Sequence, residues 1–172
     1  VNFGALSAFR FLDGGSKFVG VADTGFWFAG VVSRDADGKP TGIADFRLRA
    51  MLDDDRAAER PKWETDAEGL LVNGNRVTAS FEREHRISTG DIDAQTLDMP
   101  LTEERLPVPA RELRNNRGFE TLALAPMTGA LAGAKVAVTE KSLNKQGDIF
   151  AAVMDGPEKG IFYVARNGEF DI

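Results

Sequence analysis

Glu68-Gly69-Leu70-Leu71-Val72-Asn73-Gly74-Asn75-Arg76-Val77-Thr78-Ala79-Ser80-Phe81-Glu82 is the stretch that decides the fold class. Two apolar runs, Glu68–Val72 and Val77–Glu82, flank Asn73-Gly74-Asn75, and an Asn-Gly pair between such runs is a strong short-range hairpin signal. The same device stands on either side of it. A short apolar segment crosses a turn into a second strand that ends in a carboxylate at Leu6 to Asp23, at Leu70 to Glu82 and at Leu122 to Glu140. The second and third of these are also led in by an acid, Glu68 in Ala67-Glu68-Gly69-Leu70 and Glu120 in Phe119-Glu120-Thr121-Leu122. A chain that repeats a supersecondary unit is an array of such units rather than one continuous sheet.

Leu6, Leu70 and Leu122 are 64 and 52 residues apart, whereas propeller blades recur at about 40 to 50 residues, so the units read as blades with long outer loops. Those loops are Asp53–Pro61 and the stretch from Pro100 to Asn116. Around the inner pairs the patterns predict further strands: Ala5–Leu12, Phe18–Asp23, Phe26–Val32 and Ile43–Met51 in the first unit, and His85–Ser88 in the second. In Ile43–Met51, Ile43, Asp45, Arg47 and Arg49 alternate with Ala44, Phe46, Leu48 and Ala50. The third unit reads Phe119–Ala125, Lys135–Glu140, Ile149–Met154 and Ile161–Ala165, with a short helical turn at Arg111–Asn115 before it. Asp98–Pro109 mixes prolines with charges and marks no clear fourth strand for the second unit. The expectation is an all-β, β-propeller-like chain of three to four antiparallel blades, with units over about 4–52, 66–110 and 116–172.

Composition bounds the function. With 172 residues, 42% of them hydrophobic, and 12 Phe, the chain can bury a sizeable core. Its net charge of −6, without a Lys/Arg cluster, argues against nucleic acid and anionic membrane as partners. The absence of cysteine excludes disulfides and thiolate metal sites. No apolar run approaches the ~20 residues of a membrane helix, and no basic-then-apolar signal opens the chain, whose start at Val1 reads as processed or trimmed. Gly-x-Ser-x-Gly, Walker, dinucleotide and EF-hand signatures are missing; Asp35-Ala36-Asp37-Gly38 is a hairpin turn.

Ala22-Asp23-Thr24-Gly25-Phe26-Trp27, Asp66-Ala67-Glu68-Gly69-Leu70, Ser80-Phe81-Glu82-Arg83-Glu84-His85-Arg86-Ile87 and Asn116-Arg117-Gly118-Phe119-Glu120 together resemble, in that order, the bacterial phytase-like propeller family labelled "esterase-like activity of phytase". The resemblance runs over essentially the whole chain and implies a secreted or periplasmic six-bladed type of propeller. Thr121 is a mild departure from its pattern. Family domains are about twice as long, which implies that this chain supplies about half of a ring. Its open blade faces would then be covered by the rest of the propeller or by another chain, a second copy included.

Inner strands of a propeller converge on the central channel, so acids recurring at one place would form part of a ring. Facing carboxylates repel unless a cation sits among them, and Glu68, Glu82, Asn116, Glu120, Asp23 and Glu140 offer only oxygen ligands, which suits Ca²⁺ better than zinc or copper. The competing reading makes them solvated rim residues or partners of Arg83 and Arg117. His85 is the only histidine. It reads either as a general base oriented by Glu82 or Glu84 or as a structural histidine at the blade edge; strand parity sets it opposite both acids unless a turn at Arg83-Glu84 intervenes. Arg83, Arg86 and Arg117 suit phosphate oxygens and suit ion pairs equally. Phe26-Trp27-Phe28 reads as inter-blade packing rather than a ligand groove. The function expected is a calcium-dependent hydrolase of phosphate or carboxylic esters, with His85, Arg83 and Arg117 catalytic and a small-molecule ester as partner. The alternative is a non-catalytic binding propeller with a structural acidic centre.

Overall fold

Asn73 pairs with Arg76 across Gly74 and Asn75, and Gly74 takes a φ of 58°. A two-residue hairpin demands this left-handed conformation at its first central position, and glycine adopts it without strain. The computed structural model describes residues 4–51, 61–114 and 117–166. In it this hairpin begins the middle one of three four-stranded antiparallel sheets. The first sheet is β1 (Leu6–Leu12), β2 (Lys17–Ala22), β3 (Phe26–Arg34) and β4 (Pro40–Ala50). After a short helix α1 (Lys62–Thr65) come β5 (Ala67–Asn73), β6 (Arg76–Phe81), β7 (Arg86–Asp91) and β8 (Thr102–Glu104). The third sheet is β9 (Phe119–Leu124), β10 (Lys135–Leu143), β11 (Ile149–Val153) and β12 (Gly160–Val164). Each sheet is a meander in chain order, and β5 touches both β1 and β9. The sheets are therefore blades, with β1, β5 and β9 innermost, and the architecture is that of a β-propeller.

The strands match the alternation in the sequence closely, but β4 starts at Pro40, three residues before Ile43, β10 runs to Leu143, three beyond Glu140, and further differences follow. Asp45 adopts a φ of 48° and the pairing of β3 with β4 shifts there, from Ala29–Arg47 to Val31–Ala44. The extra residue resets the parity, so Ile43 joins Phe46 on one face of blade 1 instead of opposing it. The third strand of blade 2 runs to Asp91, three residues beyond Ser88. Its fourth is only Thr102–Glu104, because the chain before it tucks Leu97 and Met99, 1% and 2% exposed, into the core. A 3-10 turn occupies Ala110–Glu112 and overlaps only the start of the helical turn expected at Arg111–Asn115, since Leu113 is already extended; Asn115 lies outside the described residues. Most of the Asp53–Pro61 loop lies outside them too.

Two cores hold the blades together. Val19, Val21, Trp27 and Ala29 of blade 1 meet Leu70, Val77, Ala79 and Phe81 of blade 2. The opposite face of blade 2, with Leu71 and Ile87, meets Phe119, Leu122, Ala137 and Phe150 of blade 3. Val108 and Leu113 join this second core from the loop between the blades. Trp27 is fully buried between blades, as its place in Phe26-Trp27-Phe28 suggests. Lys135 on β10 pairs with Glu104 on β8, adding a polar clamp between blades 2 and 3. Among the described residues no helix is long and apolar enough to cross a membrane.

Candidate metal centre at the inner strands

The three inner strands share an irregularity at their starts. In blade 1 the pairing passes from Leu6–Ala22 to Ala8–Val21, leaving Ser7 extra. In blade 3 it passes from Phe119–Thr139 to Thr121–Val138, leaving Glu120 extra. In blade 2, Glu68 and Gly69 together span the step from Ala67–Phe81 to Leu70–Ala79. A β-bulge re-aims the side chain it carries, so Ser7, Glu68 and Glu120 are equivalent residues lifted out of the pleat. The strand that follows carries an acid at an equivalent place as well, although β10 runs on past it to Leu143. Asp23, Glu82 and Glu140 come directly after the paired residues Ala22, Phe81 and Thr139, and each donates its backbone N–H to the chain before the inner strand, at Ala5, Asp66 and Gly118.

This repetition brings carboxylates from blades 2 and 3 to one place. Asp66, Glu68 and Glu82 hold oxygen atoms within 4.8 Å of one another, and so do Glu82, Glu120 and Glu140. Glu82 belongs to both groups and joins them. Asp23 of blade 1 lies close enough to Glu68 to repel its charge, and the Ser7 hydroxyl hydrogen-bonds to Glu68. Close approach of the backbones makes this possible. A Cβ on Gly69 would sit 2.8 Å from the Glu120 carbonyl oxygen, and one on Gly118 would sit 2.7 Å from that of Glu82. Only glycine fits at either position, next to the two bulged acids.

Burial and crowding of like charges disfavour ionisation here. The Glu68 carboxyl is pushed up to about 7, first by burial and then by Asp66, Glu82 and Asp23, with the Ser7 hydrogen bond opposing. Glu120 is likewise raised to about 7, by burial and then by Glu68, Glu82, Glu140 and Asp66. Both lie above the ordinary 4.5 that they regain on unfolding. Their contribution to stability is therefore complete below about pH 4.5 and lost as pH rises through about 7. Metal-free protein is expected to melt progressively lower from pH 5 to pH 8. A melting temperature that rises over this interval would contradict the crowding.

The sequence-predicted residues separate into groups. Glu68, Glu82, Glu120 and Glu140 come together, with Asp23 beside them; Asn116 lies outside the described residues. Asp66 is a member the sequence reading passed over. It ends α1 two residues before Glu68, which is carried by the bulge of β5, and its closeness in sequence to that acid was the available signal. Its carboxylate, 2% exposed, is 3.1 Å from Arg83 Nε. Arg83 thus has an ion-pair role, whatever else it does. Arg86 lies 3.9 Å above the centre of the Phe81 ring, pairs with Glu84 and donates to the Glu64 carbonyl at 2.6 Å. Arg117 is half-buried, and its carbonyl accepts from Ser142 Oγ at 2.7 Å. His85 occupies the turn between β6 and β7 at a φ of 49°, so the turn does reset its parity relative to Glu82. Burial lowers its pKa, with the Glu82 backbone carbonyl opposing, and its Nδ1 lies against Gly118.

The donor set fits a hard divalent cation: five carboxylates, no nitrogen or sulfur donor in either group, and two members whose charge is suppressed until a cation offsets it. No curated protein matches the chain. Among solved structures, the β-propeller domain of Cps50 (Swd1) from Myceliophteria thermophila aligns with it at a TM-score of 0.46 and 11% identity, over 96% of this chain and 45% of that one. The chain thus spans less than half the length of that propeller. A family model matches residues 1–159, from blade 1 to the last turn of blade 3, and on that match the chain belongs to the phytase-like family, described as esterase-like activity of phytase.

Proposed function

We propose that the acid cluster binds calcium and that the chain is part of a hydrolase of phosphate or carboxylic esters. The observation that supports this reading is the convergence of Asp66, Glu68, Glu82, Glu120 and Glu140 through bulges that recur from blade to blade. These five residues would hold the ion, with Asp23 adjoining. When bound, such an ion polarises an ester and lowers the pKa of coordinated water. The chain's own groups supply the rest. Glu68 and Glu120 keep their protons up to about pH 7 only without the ion and would give them up on binding it, which leaves Glu68 and Glu120 as ligands and the proton transfer to another group. His85 is neutral at pH 7 and able to accept a proton, but at 9% exposed it stands behind the carboxylates in access to a substrate. Arg83 engages Asp66 and Arg86 engages Glu84, so Arg117 is the arginine assigned to a developing anion.

The engagement of Arg83 and Arg86 is also the observation that favours the second reading, a binding propeller whose acidic centre is structural. Hydrolysis of generic phosphomonoesters and short acyl esters, measured with and without Ca²⁺, separates the two. Turnover that requires the metal supports the hydrolase. Calcium binding without turnover leaves the structural centre, and neither binding nor turnover removes both.

Glu82→Gln probes the residue shared by the two groups. It is expected to weaken calcium binding at least about tenfold, ~1.4 kcal/mol, while leaving metal-free stability near that of the parent. Titration calorimetry and urea unfolding report the two quantities. Loss of metal-free stability with unchanged calcium affinity would make Glu82 a structural residue only.

A further inference from the structure

The turn between β6 and β7 closes on a residue that its backbone does not favour. Glu82-Arg83-Glu84-His85 links the paired residues Phe81 and Arg86, and His85 ends it with a φ of 49° and a backbone N–H that donates to the Glu82 carbonyl at 3.2 Å. Glycine takes this left-handed conformation without strain, whereas a residue with a Cβ does not. Strain of this kind is kept where the side chain has a use, and the imidazole is buried.

The ring is lodged against blade 3. A Cβ on Gly118 would meet His85 Nδ1 at 3.0 Å, and the Glu82 carbonyl oxygen and Cα at 2.7 and 3.2 Å. Gly118 therefore touches both the residue that begins the turn and the one that closes it. The blade 3 half of the acid cluster hangs on this glycine: its carbonyl accepts the backbone N–H of Glu140 at 2.8 Å, and Glu120 stands two residues further on. On its other side the turn is tied to blade 2, where the Glu82 N–H donates to the Asp66 carbonyl at 2.9 Å and Arg83 Nε lies 3.1 Å from the Asp66 carboxylate.

The two acid groups differ in what holds them. Asp66, Glu68 and Glu82 lie in blade 2 and the residue that leads into it, whereas Glu82, Glu120 and Glu140 join blade 2 to blade 3. A group that spans two blades depends on the contacts at the seam beside it, and His85 against Gly118 is such a contact. We propose, on the calcium reading above, that His85 is a positioning residue of the acid cluster: its imidazole, wedged against Gly118, fixes Glu82 of blade 2 relative to Glu120 and Glu140 of blade 3.

Calcium titration calorimetry at pH 8, with urea unfolding of the metal-free forms, tests this with His85→Gly and His85→Asn. His85→Gly keeps the left-handed turn and removes the wedge; it is expected to weaken calcium binding about tenfold, as loss of a group that orients metal ligands does, while the metal-free protein still unfolds cooperatively. Asparagine also tolerates the left-handed conformation and puts a polar atom where Nδ1 stands, so His85→Asn is expected to restore most of the affinity. A ring that only fills space beside Gly118 would instead change metal-free stability and leave the affinity alone. Double variants read which group the histidine serves. Added to Glu140→Gln, which has already lost a blade 3 ligand, His85→Gly is expected to cost little more; added to Glu68→Gln, it is expected to cost as much as in the parent. Equal losses in the two backgrounds overturn the assignment to the blade 3 acids. Calcium bound equally well by the parent and by His85→Gly overturns the positioning role and leaves the calcium reading standing, whereas a parent that binds no calcium removes both.

Discussion

Phe119→Ala is expected to destabilise the chain by about 3–5 kcal/mol. Phe119 is 0% exposed and lies in the core between blades 2 and 3, with Leu71, Ile87 and Leu122. Its truncation removes a ring from a seam that, among the described residues, no backbone hydrogen bond crosses, so the surrounding sheets, each held by its own ladder, have little freedom to close the cavity. Small domains are stable by only about 5–15 kcal/mol, so the variant loses a large part of the total. Urea unfolding of parent and variant gives the difference directly. A change below about 1 kcal/mol would show that the seam contributes little and that the blades are stable independently.

Calcium is expected to have the next largest effect. A ligand that binds only the native state stabilises it by RT ln(1 + [L]/Kd), about 2.7 kcal/mol at 100 times Kd. The physical source is the relief of repulsion among Asp66, Glu68, Glu82, Glu120 and Glu140. Binding must displace the protons that Glu68 and Glu120 retain up to about pH 7, so the gain should be larger at pH 8 than at pH 6. Melting curves in EDTA and in millimolar calcium at the two pH values read both effects. Superimposed curves at pH 8 would remove the metal from the proposed function, leaving the ester hydrolysis assay to stand alone.

The strands and the blade order were legible because each hairpin carries its own instructions. Alternating residues and a turn glycine specify Ala67–Asn73 and Arg76–Phe81 without reference to the rest of the chain. The acids Asp23, Glu82 and Glu140 could be picked out for the same reason, since each closes the second strand as the sequence pattern reads it. What escaped was where local pattern is broken. Asp45 adds one residue to β4 and turns Ile43 onto the face that carries Phe46. Leu97 and Met99 leave no periodic trace, because a loop residue can be buried by the blade opposite it without any partner in its own sequence neighbourhood.

For this protein, then, the sequence by itself determined the all-β class, the repeated four-stranded unit and the family, because strand alternation, turn chemistry and family motifs are local and survive being read in isolation. Tertiary structure alone decided which acids meet. A one-residue bulge at the start of β1, β5 and β9 redirects Ser7, Glu68 and Glu120, and inter-blade packing through Gly69 and Gly118 carries Glu120 and Glu140 to Glu82. Asp66 enters that cluster from the residue before β5, and the carboxyls of Glu68 and Glu120 rise to about 7 first through burial and then through the acids that packing of blades 2 and 3 crowds around them.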